Sequence, residues 1–157
     1  MLFRSVGELI KYLTERAHSL CLLERYADSL SDWDRAISLA NDEASASLEE
    51  DRADAAAMAT TNPDQALVGR VAFEQAREYS SLARIALIEQ FDEPIEGENP
   101  ANRFTERALE RLVKAKANGY IEQPGVMNQL MTVPDFEPLR SHSGFQKIIT
   151  EAGKSTL

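Results

Sequence analysis

The sequence predicts an all-α fold, an array of about three helical hairpins closed by a short C-terminal helical cap, and three observations carry that prediction. Between Tyr12 and Ala40, Leu13, Ala17 and Leu20 recur at steps of four and three, as do Ser29, Trp33 and Ala36, so two successive helices each have a face suited to burial. Ala17 and Ser29 leave room for a neighbouring backbone, and Trp33 fills the space beside them. The same spacings return later, in Tyr79, Leu82-Ala83 and Ala86 and then in Ala108, Leu112 and Ala115. Ala83 follows Ala17 by 66 residues, close to two lengths of the ~34-residue unit at which helical hairpins recur, which leaves room for one hairpin between them. Beyond Asn118-Gly119, a helix C-cap signal, the periodicity changes, as the end of an array must if its last apolar face is to be covered. The expected organisation is one domain over 1–157, with hairpins at about 6–40, 44–73 and 75–118 and a cap over 119–152.

Taken in order, Val6 to Glu24 reads as the first helix, with Ser5 as N-cap and Glu8 at capping-box spacing. Its stripe is Val6, Leu9, Ile10, Leu13, Ala17 and Leu20. A break at Glu24-Arg25 leads into a second helix through Ala40, and Asn41-Asp42 offers a stop and a new cap. Ala44 to Thr60 reads as a helix with a thin apolar face, Leu48, Ala53, Ala56 and Ala57, opposed by Glu49, Glu50, Asp51 and Asp54. The turn Thr61-Asn62-Pro63-Asp64 places Pro63 at a first helical position. Apolar positions then continue to Phe91 with Gly69 as the interruption. Ala53 and Ala66 take the small positions of the middle hairpin if its turn holds one extra residue, and a helix break is expected between Val71 and Gln75. Phe91 to Ala101 carries two prolines, a glycine and four carboxylates against no base, and reads as a loop, either an acidic contact or a solvated insertion. Asn99 or Asn102 caps the next helix, Arg103 to Asn118, whose Arg103, Arg107, Arg111 and Lys114 form a solvent-facing basic stripe beside Glu106 and Glu110. Val126 to Met131 gives one or two turns, Pro134 breaks them, and Ser143 to Ala152 gives a last helix with Phe145, Ile148 and Ile149 inward.

Composition bounds the function. At 157 residues, 43% hydrophobic and 27% charged, the chain is ordinary for a soluble fold. Its 26 acidic against 17 basic residues give a net charge of -9, which argues against binding nucleic acid and favours cationic partners or plain solubility. Cys21 is the single cysteine, so there is no disulfide framework, and a cytoplasmic setting is expected. No apolar run approaches the ~20 residues of a membrane span, and Met1 to Ile10 has no secretory core, so no membrane partner is expected.

Leu13, Arg16-Ala17, Leu20, Ser29, Trp33 and Asn41 stand where the tetratricopeptide pattern has a large residue, Leu-Gly, an aromatic, Ala, an aromatic and Pro. Arg16, Ser29 and Asn41 depart from that consensus. The run ERALERLVKAKANGY followed by PDFEPLRSHSGFQKII resembles the closing segment of the tetratricopeptide regions found C-terminal to planctomycete-type bacterial serine/threonine protein kinases. There a helix ending in Gly-aromatic, here Gly119-Tyr120, precedes Asp-x-Glu/Asp-Pro-Leu-Arg, here Asp135 to Arg140, and then Phe-x-x-Ile/Leu, here Phe145 to Ile148. The likeness covers about Tyr79 to Ala152. It implies a right-handed superhelical array and a protein-binding role.

Catalytic patterns are sparse. There is no Gly-x-Gly-x-x-Gly, no phosphate-binding loop, no Cys-x-x-Cys and no His-Arg-Asp, and Asp135-Phe136-Glu137 lacks the Gly of a kinase metal loop. Glu15-x-x-His18 is the one metal-like fragment, and a di-iron site would need a second Glu-x-x-His that His142, three residues after Leu139, does not supply. Cys21 reads as a packing residue. The expected function is a non-catalytic interaction module, a scaffold, adaptor or kinase-associated regulator, with no cofactor, no metal and no catalytic residue; the alternatives are a self-associating structural subunit and a helical metal enzyme using Glu15 and His18. Oligomeric state is open. The tetratricopeptide likeness places partner contacts three before and one after each small packing residue: Thr14 and His18, Glu50 and Asp54, Ser80 and Arg84. Thr14 and His18 are not the Lys and Asn that clamp a peptide carboxylate in co-chaperone members, so a free C-terminus is not the expected ligand. Glu50 and Asp54, reinforced by Glu49 and Asp51, make the middle of such a groove acidic and suit a protein or peptide segment carrying Lys or Arg.

Overall fold

A computed structural model describes residues 3–60, 62–88 and 99–155, with the side chains of residues 42, 43 and 155 left aside. Among the described residues every regular element is helical and no strand occurs. The chain divides into two compact units, Met1–Asp64 and Gln65–Leu157.

The first unit holds α1 (Val6–Leu22), α2 (Tyr26–Leu39) and α3 (Asp42–Met58), with α2 packed on both others. Ser5 caps α1 by accepting from the Glu8 backbone N–H at 3.2 Å, at the spacing expected from sequence. The chain leaves α1 through Glu24 at φ 59, a left-handed conformation that costs a non-glycine residue about 1 kcal/mol and lets the Arg25 N–H reach the Leu20 carbonyl. Trp33 is only 1% exposed and shares the core with Ala17 and Ala55, while Cys21, Leu30 and Leu48 pack around it. The Ser29 hydroxyl donates to the Ala17 carbonyl at 3.0 Å, so a residue that departs from the repeat consensus closes the α1–α2 interface with a hydrogen bond. Arg16 departs usefully too. Its guanidinium pairs with both oxygens of buried Asp32 on α2, Nε lying 2.6 Å from Oδ2, the fork geometry that satisfies a carboxylate on two sides.

Asn41 caps α3, accepting from the Ala44 N–H at 3.0 Å. The expected apolar face of α3 is corrected. Ala53 is exposed and Ala56 and Ala57 are half-buried, whereas Ala55 and Met58 are buried and Leu48 packs on the core. The inward stripe is therefore Leu48, Asp51, Ala55 and Met58, at steps of three, four and three; Asp51 hides it in the sequence by reading as a polar-face residue.

The second unit holds α4 (Gln65–Ile88), α5 (Pro100–Ala117), α6 (Val126–Thr132), a 3-10 turn (Pro134–Phe136), α7 (Glu137–Arg140) and α8 (Ser143–Ser155). α4 runs unbroken for 24 residues. The break expected between Val71 and Gln75 is absent, and the helix begins at Gln65, so Pro63 precedes it rather than occupying its first position. Val71, Ala72, Phe73, Gln75 and Ala76 are all buried because α4 packs on α5 along one side and on the 3-10 turn and α7 along another. A helix covered on two sides has too wide an apolar face for a single stripe, and that widening imitates a break in the sequence. Within the first unit α3 packs with α2, and within the second Gln65 to Phe73 belong to a helix, α4, that packs with α5.

Tyr79 and Ala83 of α4 and Ala108, Leu112 and Ala115 of α5 are buried as their spacing requires. At Gly69 an added Cβ would lie 2.9 Å from the Tyr120 Cβ and 3.2 Å from the Asn118 Cβ, so only glycine permits this approach. Asn99 caps α5, its side chain accepting from the Ala101 N–H at 3.0 Å. The expected loop over Phe91–Ala101 lies outside the described residues as far as residue 98; Pro100 and Ala101 are already in α5. α5 ends at Asn118-Gly119 as expected, with Gly119 at φ 73 and the Tyr120 N–H bonded to the Ala115 carbonyl at 3.0 Å.

Candidate functional site

The six positions expected to line a groove fall in both units, four in the first and two in the second. In the first, Thr14 on α1 is half-buried and its hydroxyl donates to the Ile10 carbonyl at 2.8 Å. His18, one turn on, lies against the buried Trp33 ring, centroids 4.9 Å apart and planes at 90°. Its Nε2 is 4.0 Å from Oδ2 of Asp51 on α3, with the two side chains 43% and 42% exposed. Glu50 is exposed and Asp54 half-buried on the same helix. The cluster is electrostatically crowded. Burial pushes the Asp51 carboxyl above its ordinary range; His18 pulls it back, and Asp54 and then Glu50 push it up again.

Asp51 is the residue that sequence reasoning places only in the background. A signal for it is present: Leu48, Asp51, Ala55 and Met58 share one helical face, and a carboxylate on an otherwise apolar stripe is either paired or costly. Other nearby acids are engaged elsewhere. Asp32 is held by Arg16 and Asp34 by Arg52, whose guanidinium is raised further by that bond. Glu15 pairs with Lys11 at 3.8 Å, and among the described residues no three His, Cys, Asp or Glu side chains converge as metal ligands would.

In the second unit, Ser80 is not a groove residue. It is fully buried and its hydroxyl donates to the Asp135 carbonyl. Arg77 Nε donates to Asp135 Oδ2 at 2.6 Å, and this bond, above all, holds the Asp135 carboxyl below its ordinary range; Ser81 and Arg84 act in the same direction. The chain's own 3-10 turn thus occupies the face of α4 on which Ser80 and Arg84 lie. The reason is visible in the motif itself. Phe136 is buried with its ring 5.3 Å from Phe73, Leu139 is buried, and Arg140 donates to the Val133 carbonyl at 2.6 Å. Asp135, Phe136, Leu139 and Arg140 each clamp the end of the unit, so this segment holds the second unit's fold together.

No family model matches this chain, and neither does any curated protein or solved structure. Among the described residues no helix is long and apolar enough to cross a membrane.

Proposed function

We propose that this chain is a non-catalytic protein-binding module, a tetratricopeptide-like scaffold or adaptor of the kind that accompanies bacterial kinases, and that it takes a Lys- or Arg-bearing peptide segment on the α1–α3 side of its first unit. The observation that carries the reading is Asp51, a half-buried carboxylate crowded by Glu50 and Asp54 and faced by an imidazole. A carboxylate pressed by two like charges gains from an incoming cation. His18, Glu50, Asp51 and Asp54 are the proposed contacts, and Thr14 adds shape beside them. Ser80 and Arg84 have no part in it.

Exposed ion pairs contribute about 0.2 to 1 kcal/mol each, so affinity is modest and falls with salt. The test is fluorescence anisotropy with a labelled peptide of Lys and Ala against the wild type and Glu50→Lys with Asp54→Lys. Glu78→Lys with Glu106→Lys makes the same change in net charge at exposed sites of the other unit. The α3 reversal should abolish binding and its salt dependence, and the control should not. Equal losses in the two double variants would reduce the effect to net charge and remove the site.

A further inference from the structure

His18 contacts a buried indole and stands near a carboxylate. Trp33 supports it, since the indole is buried and the two rings meet edge to face at 4.9 Å. The His18 Nε2 also lies 4.0 Å from Oδ2 of Asp51. Other charged groups lie nearby on each of the three helices. On α3 they are Glu50 and Asp54, which act on Asp51; on α1, Glu15 faces Lys11; on α2, Asp32 and Asp34, which flank Trp33, are held by Arg16 and Arg52. The group 4.0 Å from Asp51 is an imidazole, the side-chain type whose charge changes near neutral pH.

We propose that His18 is a proton-operated gate on the acidic face: charged, it neutralises Asp51 from within and weakens the hold on a Lys- or Arg-bearing segment; neutral, it leaves the carboxylates to that segment. The gate rests on the binding role proposed above. Its logic is competition, because an internal imidazolium and a partner's ammonium or guanidinium seek the same oxygens. One exposed pair's worth of attraction corresponds to about a 1.4- to fivefold change in affinity.

The experiment uses the Lys and Ala peptide, which has no group titrating in the range. Its affinity is measured at pH about 7.5 and about 5.5 for the wild type, His18→Gln and His18→Lys, with melting curves to verify folding. The wild type should bind about 1.4- to fivefold more weakly at the lower pH. His18→Gln should show the same affinity at both, whatever its value, and His18→Lys should be weak at both. A His18→Gln variant that keeps the wild-type pH dependence would overturn the gate, leaving protonation of Asp51 as the cause. If the wild type does not bind the peptide at the higher pH, or binds it indifferently to Glu50→Lys with Asp54→Lys, the site itself is refuted and the gate falls with it.

Discussion

Trp33 sets the packing of the first unit. It is buried with Ala17 and Ala55, and its indole N–H finds no hydrogen-bond partner among the described residues. An orphaned buried donor costs on the order of 1 kcal/mol or more, so the ring stabilises the core through its volume and not through its polarity. Trp33→Ala is expected to lower the unfolding free energy by ~3 to 5 kcal/mol, as large-to-small changes in closed cores do. Chemical denaturation measures this, and a near-neutral change would show that the site collapses around the loss. Gly69 is the opposite case. Alanine would favour the helix by about 1 kcal/mol, but its methyl would sit 2.9 Å from Tyr120, so sterics and not propensity decide the residue.

Among the elements, the 3-10 turn is fixed to α4 by charge as well as by Phe136. The folded pKa of Asp135 lies below its ordinary value, so the Arg77–Asp135 pair stabilises the protein above the ordinary carboxylate range near pH about 4. That contribution disappears as pH falls through the lowered value. Arg77 is half exposed, which keeps the pair near the surface range of ~0.2 to 1 kcal/mol. Arg77→Met should lower stability at pH about 7 by that much and lose less on acidification to about pH 2 than the wild type does. Parallel acid limbs for the two proteins would show that the pair is inert. Glu151, paired with Lys116 between α8 and α5, is shifted the same way and belongs to the same acid limb.

For the molecule as a whole, the end of the chain matters most: α8 covers α5 with Phe145, Ile148 and Ala152, all buried. Deleting Ser141 to Leu157 uncovers that apolar surface, and the truncated protein is expected to aggregate and melt at lower temperature. Size-exclusion chromatography with light scattering and a thermal melt check it; a monomer with an unchanged melting temperature would mean that α5 needs no cover.

The all-helical class was legible in the residues alone, as were the N-caps at Ser5 and Asn41, the helix end at Asn118-Gly119, and the burial of Leu13, Ala17, Ser29, Trp33, Ala83, Ala108, Leu112 and Ala115. These are local matters, since helical periodicity and capping are set within a few residues. The remainder rests on contacts between segments far apart in the chain. Whether α4 breaks depends on what packs against both its sides, and whether Ser80 is groove or core depends on a turn 55 residues later that reaches back to it. Asp51 belongs to the same class: it meets His18 only because α3 is folded back toward α1, and no spacing within α3 can specify a residue on another helix.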